Sequence, residues 1–218
     1  STTNNSLIYG NNSVFANNYY KGEFVNGKGS AGTVSGDTPV EVTDEQLKSG
    51  EVAINLGTAF RQNLGDDETP VLDAMHAVVA KITEAGVATL YIKDTDVVIP
   101  EGVNAYAGVI EKAGILNLEP IEGKIAAGEA VVLKGAAGYY GFAPTTDAVK
   151  AEKNILIGAE EDVQATGKYI LAKPEGKDAG FYLADGGILK AGKAYIVLLQ
   201  GDAVKALYFA EDDATGIS

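Results

Sequence analysis

Few side chains in this sequence could do chemistry. His76, in Met75-His76-Ala77-Val78, is the only imidazole. A general base needs a positioned substrate and an orienting partner, and Asp73 is the one nearby candidate for that partner. A surface or strand-edge histidine is the preferred reading. The chain has no Cys, which excludes disulfides, thiolate metal sites and cysteine nucleophiles. Carboxylates cluster at Asp66-Asp67-Glu68, Glu160-Glu161-Asp162 and Glu211-Asp212-Asp213. Calcium takes oxygen ligands and is the ion such turns would bind, but none has the alternating spacing and central Gly of an EF-hand loop. Solvated turn charge is therefore preferred. A glycosidase requires two carboxyl groups about 5–10 Å apart in a cleft, which no spacing here specifies. Gly27-Lys28-Gly29 and Gly186-Gly187 lack the strand, loop and helix order of a phosphate loop. Ser6, Ser13 and Ser49 have no nucleophile-elbow context. Arg61 is the only Arg, so bidentate anion recognition has little to work with. The expectation is a protein without catalytic, metal or cofactor-binding residues, and not an enzyme.

The eleven tyrosines are the remaining feature with functional potential. Sugar rings stack on flat aromatic faces and the phenol adds a polar contact, although the absence of Trp removes the largest such face. Tyr19-Tyr20 and Tyr139-Tyr140 are adjacent pairs, and neighbours on a strand point to opposite faces. Some of these rings are exposed if the outer face is solvated, while cross-strand packing explains them equally well. Tyr19, Tyr20, Tyr139 and Tyr140 are accordingly the candidate glycan contacts. Seventeen basic residues against thirty acidic ones leave a net charge of −13, a field that repels phosphate backbones and sulfated polysaccharides. The partners expected are a neutral glycan or a surface protein, with no nucleic acid. No apolar run approaches the ~20 residues of a transmembrane helix, so no membrane insertion is expected.

These side chains must be positioned by a mainly β chain. Its 218 residues suit one large or two ordinary domains. Residues 1 to 37 hold short apolar pieces among Asn, Gly, Ser and Thr, which read as brief strands with a tight turn at Asn26-Gly27. Thr43 and Gln46 have capping-box spacing, and Asp44 and Glu45 suit a helix N-terminus. One helix is expected from about Asp44 to Asn55, ending at Gly57. From Ala85 the chain becomes strand-length runs separated by Gly, Pro and charged turns, with one candidate helical turn at Val149-Lys150-Ala151-Glu152. This texture implies an antiparallel sandwich or barrel-like domain over residues 84–218, preceded by a small strand-helix unit over residues 1–83. An internal echo supports it. Ala127-Gly128-Glu129-Ala130-Val131-Val132-Leu133 reappears 64 residues later as Ala191-Gly192-Lys193-Ala194-Tyr195-Ile196-Val197, and Pro100 to Tyr106 is a looser third version. Each is a Gly-bearing turn leading into a strand.

The runs Val42 to Ala53 and Gln62 to Asp73, the Asn17-Asn18-Tyr19-Tyr20 before them, and the phrases Ala85 to Tyr91, Ile99 to Tyr106, Val132 to Tyr140 and Tyr169 to Pro174 together resemble a known arrangement. It is the β-rich C-terminal module that follows GLUG-type repeats in secreted surface proteins of Bacteroidetes-type gut bacteria. The resemblance spans roughly residues 15 to 218. It implies an extracellular or cell-surface location, a multi-domain parent and a structural or adhesive role, and it brings no catalytic residues. A glycan-binding module using exposed Tyr is the alternative, and an accessory domain of a carbohydrate-active enzyme a third. The Ser1-Thr2-Thr3-Asn4-Asn5-Ser6 start has no Met, basic n-region or apolar segment and reads as a processed or excised end. The terminal signature that commonly follows Asp212-Asp213-Ala214-Thr215-Gly216-Ile217 in the family is missing.

Overall fold

The structure is a computed structural model that describes residues 14–22, 35–36, 39–198 and 204–210. Two compact units divide between Val79 and Ala80.

The first unit holds four two-residue strands, β1 (Val14–Phe15), β2 (Tyr19–Tyr20), β3 (Ser35–Gly36) and β4 (Val40–Glu41), paired in parallel as β1 with β3 and β2 with β4. Thr43 caps α1 (Asp44–Lys48) through both bonds of a capping box with Gln46. The single helix expected there is broken into α1 and α2 (Glu51–Leu56). Gly50 adopts φ +90° between them, and a Cβ on it would stand 2.6 Å from Val79 Cγ1. The site that weakens the helical pattern is thus where the chain turns, and α2 buries Val52 and Ala53. Gln62 is fully buried; its Nε2 donates to the carbonyls of Leu47 and Asp67. That side chain ties the exposed end of α1 to the following acidic turn.

The second unit is mainly β. Most of β5 (Val78–Ile82) lies in it, followed by β6 (Val87–Ile92), β7 (Asp96–Val98), β8 (Val103–Lys112), β9 (Ile115–Ile121), β10 (Lys124–Ile125), β11 (Glu129–Gly135), β12 (Gly138–Phe142) and β13 (Pro144–Thr145). The chain continues through β14 (Ile157–Gly158), β15 (Val163–Gln164), β16 (Tyr169–Ala172), β17 (Gly180–Leu183), β18 (Ile188–Leu189), β19 (Ala194–Ile196) and β20 (Ala206–Phe209). Nine strands form one sheet in the order β14-β19-β16-β17-β20-β9-β8-β11-β6. The order is palindromic. β6, β11, β8 and β9 stand on one side of β20 as β14, β19, β16 and β17 stand on the other. The small strands follow suit, β7 pairing with β10 as β15 pairs with β18. The echo in the sequence is therefore one line of a duplicated fold.

The two copies are held by the same local device. Asp96 Oδ1 accepts the Ala127 N–H at 2.7 Å, and Asp162 Oδ1 accepts the Ala191 N–H at 3.0 Å. Each bond fixes the start of the echoed turn, whose glycines, Gly128 and Gly192, have φ +71° and +78°. The Val149 to Glu152 stretch carries no helix, because its Ala151 N–H is committed to the Glu129 carboxylate at 3.0 Å.

All pairings in the large sheet are antiparallel except β20 with β9. The duplication explains this departure from a purely antiparallel reading. Equivalent strands of the two copies run in opposite directions, so a single strand lying between β9 and β17 must be parallel to one of them. The inner face collects Leu116, Ala130, Val132, Leu156, Tyr169, Phe181, Ala194, Ile196 and Leu207 into one apolar core. Val131 and Leu133 point the other way along β11 yet are equally buried. A second layer thus covers that wall, and Ile82, whose Cδ1 lies 3.1 Å from a Cβ placed on Gly135, belongs to it.

Candidate functional site

The edges of the nine-stranded sheet, β6 and the β14/β19 pair, meet in a seam that nearly closes the barrel. The Tyr91 N–H donates to Gly192 O at 2.8 Å, and the Ala194 N–H to the buried Thr89 Oγ1 at 3.1 Å. The Tyr91 ring lies on Gly158 so closely that a Cβ there would stand 1.9 Å from Tyr91 Cδ2. Glu160 finishes the join, accepting from the Tyr91 hydroxyl at 3.3 Å and pairing with Lys93 at 2.6 Å. Desolvation, with the Glu160 charge second, pushes the Tyr91 phenol above its ordinary pKa.

Beyond Thr89 the seam opens into a groove of about 770 Å³. Ala88 and Thr89 of β6, Leu171 and Ala172 of β16, Ile188 and Leu189 of β18, and the 81–85 segment line it. Lys81, Lys173, Lys190 and Lys193 bring four ammonium groups to it against the one carboxylate of Glu84, a local reversal of the chain's net charge of −13. Lys190 is paired with Asp162 at 2.7 Å, and Lys81 lies 4.9 Å from the Tyr139 ring centroid. The Lys193 ammonium has neither a hydrogen bond nor an ion pair among the described residues, and desolvation lowers its pKa. An ammonium half withdrawn from water without a counter-charge carries part of the desolvation cost of a buried charge, so this position favours an anion or a ring of acceptors.

The backbone of β6 contributes as well. Gly135 N–H donates to Gly86 O and Gly128 N–H to Ile92 O, so the even-numbered residues of β6 turn their peptide groups toward β11. Alternation then turns those of Val87, Thr89 and Tyr91 toward the seam. Only Tyr91 finds a main-chain partner there among the described residues.

The residues expected from sequence are distributed elsewhere. Tyr19 and Tyr20 are half-buried on β2 in the first unit. Tyr139 and Tyr140 are half-buried on β12; Tyr139 carries Lys81 over its ring, while the Tyr140 hydroxyl donates to Ala136 O at 3.0 Å. The more open ring is Tyr208, 43% exposed, which meets Tyr182 edge-on at 5.9 Å between centroids. His76 stands between two carboxylates, 3.6 Å from Asp67 and 3.4 Å from Asp73. The acidic turns are more than solvated charge. Asp67 accepts the Asn63 N–H at 2.6 Å, Glu68 pairs with Lys48, and Glu160 and Asp162 tie the seam and the echoed turn. Glu211, Asp212 and Asp213 lie outside the described residues. Among the described residues, no three His, Asp or Glu side chains converge as a cation cluster, and no helix is long and apolar enough to cross a membrane.

Lys193 was legible as a member of the echo. What marks it out is the substitution of Lys for Glu between the two copies, which becomes informative only once Glu129 is known to be buried and Lys193 half-buried. No protein-family model, curated protein or solved structure matches this chain.

Proposed function

We propose that this chain is a non-enzymatic adhesive module of a secreted or cell-surface bacterial multi-domain protein, and that the seam groove holds its partner. The observation that carries this reading is Lys193, a half-buried ammonium without an ion pair among the described residues, set in a groove at the seam of the sheet. Preformed concave sites with a few directed polar groups are the usual form of a binding site, and a cation left without a counter-charge is retained at a cost that a ligand can offset. The resemblance of the sequence to surface modules supplies the setting.

A second reading, neutral-glycan binding, is favoured by the Tyr182–Tyr208 pair, whose edge-on geometry leaves Tyr208 open for a sugar ring. The two readings separate in one experiment. The full chain is applied to immobilised neutral and acidic glycans and to extracellular proteins, alongside Lys193→Met and Tyr208→Ala. Capture lost with Lys193→Met supports the groove. Loss with Tyr208→Ala alone transfers the function to the aromatic pair, and capture indifferent to both removes each reading. Turnover of a polysaccharide or ester panel would contradict the non-enzymatic assignment.

A further inference from the structure

The duplication gives the groove a counterpart elsewhere in the same unit, and that counterpart is filled. The echo aligns Glu129 with Lys193 and Ala130 with Ala194. Val132 faces Tyr106 across β11 and β8 as Ile196 faces Tyr169 across β19 and β16, so Gly108 corresponds to Leu171. Ala130 faces Tyr91 as Ala194 faces Gly158, so, counting back along each strand, Asn154 corresponds to Val87. Leu171, Lys193 and Val87 all line the groove.

At the counterpart, the chain's own linker lies in an extended form against Gly108, Glu129 and Ala130. The Ala151 N–H donates to the Glu129 carboxylate at 3.0 Å. Asn154 Nδ2 donates to Glu129 at 3.2 Å and to Ala130 O at 2.8 Å, while its Oδ1 accepts the Gly108 N–H at 3.1 Å. The Ile155 N–H completes the set on Gly108 O at 2.9 Å. A buried carboxylate is thus matched by the donors of a peptide segment. In the groove the sign is inverted. The group here is a half-buried ammonium, which only donates, and the segment corresponding to the linker, residues 81–85, gives it no hydrogen bond or ion pair among the described residues.

We infer that the groove is a docking site for an extended acidic peptide segment of a partner protein, with carboxylates offered to Lys193 where the linker at the other copy offers N–H groups to Glu129. This rests on the reading of the groove as the binding site and names its ligand class. An added strand would pair with the peptide group of Val87, which lines the groove short of the point where Thr89 is closed off by Ala194, and strand addition at an edge supplies affinity through main-chain bonds and specificity through alternate side chains. One carboxylate would reach Lys193. Lys173, exposed at the rim, would attract a neighbouring acidic side chain, so affinity falls as salt rises. The aliphatic floor of Ala88, Leu171 and Leu189 suits the apolar residues of an alternating peptide.

The test is fluorescence anisotropy of a labelled eight-residue peptide alternating Glu and Val, blocked at both ends, against the full chain. Saturable binding is expected, weakened at least tenfold by Lys193→Met and further by Lys193→Glu, with circular dichroism confirming that both variants fold. A peptide N-methylated on alternate residues, which blocks strand pairing, is expected to lose binding, and a Lys/Val peptide to show none. No binding of the Glu/Val peptide, equal binding by both variants, or equal binding of the N-methylated peptide would overturn the inference. So would preferential binding of an oligogalacturonate, which carries carboxylates without a peptide backbone. If such a saccharide or another partner binds in a Lys193-dependent way, the groove remains the binding site and only the peptide assignment falls. If every binding partner is indifferent to Lys193, both readings fall.

Discussion

Substituting Gly158 by Ala strikes the seam where the two halves of the barrel meet. A Cβ at this position would lie 1.9, 2.2 and 2.3 Å from Cδ2, Cγ and Cε2 of Tyr91, whereas carbon atoms in contact sit roughly 3.5–4 Å apart. The ring must retreat by about 1.5 Å or more, but it is packed against the apolar core, and its hydroxyl meets Glu160. Overpacking of this kind costs about 1–3 kcal/mol, and a strained or lost seam hydrogen bond adds about 1 kcal/mol. A destabilisation near 3 kcal/mol is expected, or a fall in Tm of about 6–12 °C at this chain length. Tyr91→Ala alone should cost about 2 kcal/mol, less than for a fully buried aromatic ring because the side chain is half-exposed. In the double variant the new methyl group enters space vacated by the ring. The pair should then cost about 2 kcal/mol rather than 5, a coupling of about 3 kcal/mol. Urea denaturation of the full chain, with hydrogen exchange over residues 87–92 reporting the seam, measures all four species. Additive effects, or unchanged exchange at Tyr91 in Gly158→Ala, would refute the close packing on which the closure rests.

Three further outcomes follow from named contacts. Glu129→Ala leaves the Ala151 N–H without its acceptor and takes one of two acceptors from Asn154 Nδ2, and should cost about 1–3 kcal/mol, seen as a lower urea midpoint and faster exchange over residues 148–155. Asp96 is held below the usual carboxylate range by the N–H groups of Ala127 and Ala148, and Asp162 by Lys190 and the Ala191 N–H. Because each folded pKa is the lower one, this stabilisation is present above the unfolded value of about 3.9 and is lost as pH falls through the folded pKa. The double variant Asp96→Asn/Asp162→Asn should therefore flatten the acid limb of a urea-midpoint series below about pH 4. In the first unit, Gln62→Leu removes the donors to Leu47 and Asp67 and should lower stability by about 1–3 kcal/mol, with faster exchange in α1 under native conditions.

The strands most readable in the sequence were those bounded by turn residues. Gly180–Leu183 coincides with a run of four apolar and aromatic residues between charged turns, and the capping box at Thr43 forms as its spacing requires. The strands β10, β13, β15 and β18 have two residues each, too short for any alternation to register. The echo pointed to equivalent turns, but the palindromic strand order depends on pairings between distant residues, which no local pattern encodes. The broken helix at Gly50 shows the same limit from the other side. Gly lowers helix propensity by only about 1 kcal/mol, and the close approach of Val79, which leaves no room for a Cβ at this position, is a tertiary contact that the local pattern does not carry. The site was the least legible part. Tyr139 drew notice as a stacking face and instead supports Lys81, while Lys193 resembled any other turn lysine until its environment was known.

The state of Lys193 itself is the most direct test. A pH titration of the full chain carrying ¹³Cε-labelled lysine, with the Lys193 resonance identified by its loss in Lys193→Met, reads whether that ammonium is desolvated and unpaired. The charged groups around it are Lys81, Glu84, Lys173 and Lys190, so the titration is repeated in Glu84→Gln. Lys193 should titrate below the ordinary lysine value in both proteins and should move back upward when the Glu/Val peptide is bound. A Lys193 that titrates at the ordinary lysine value, or that falls below it only in Glu84→Gln, already has solvent or Glu84 as its partner, and the groove would then have no unmet charge to bind with.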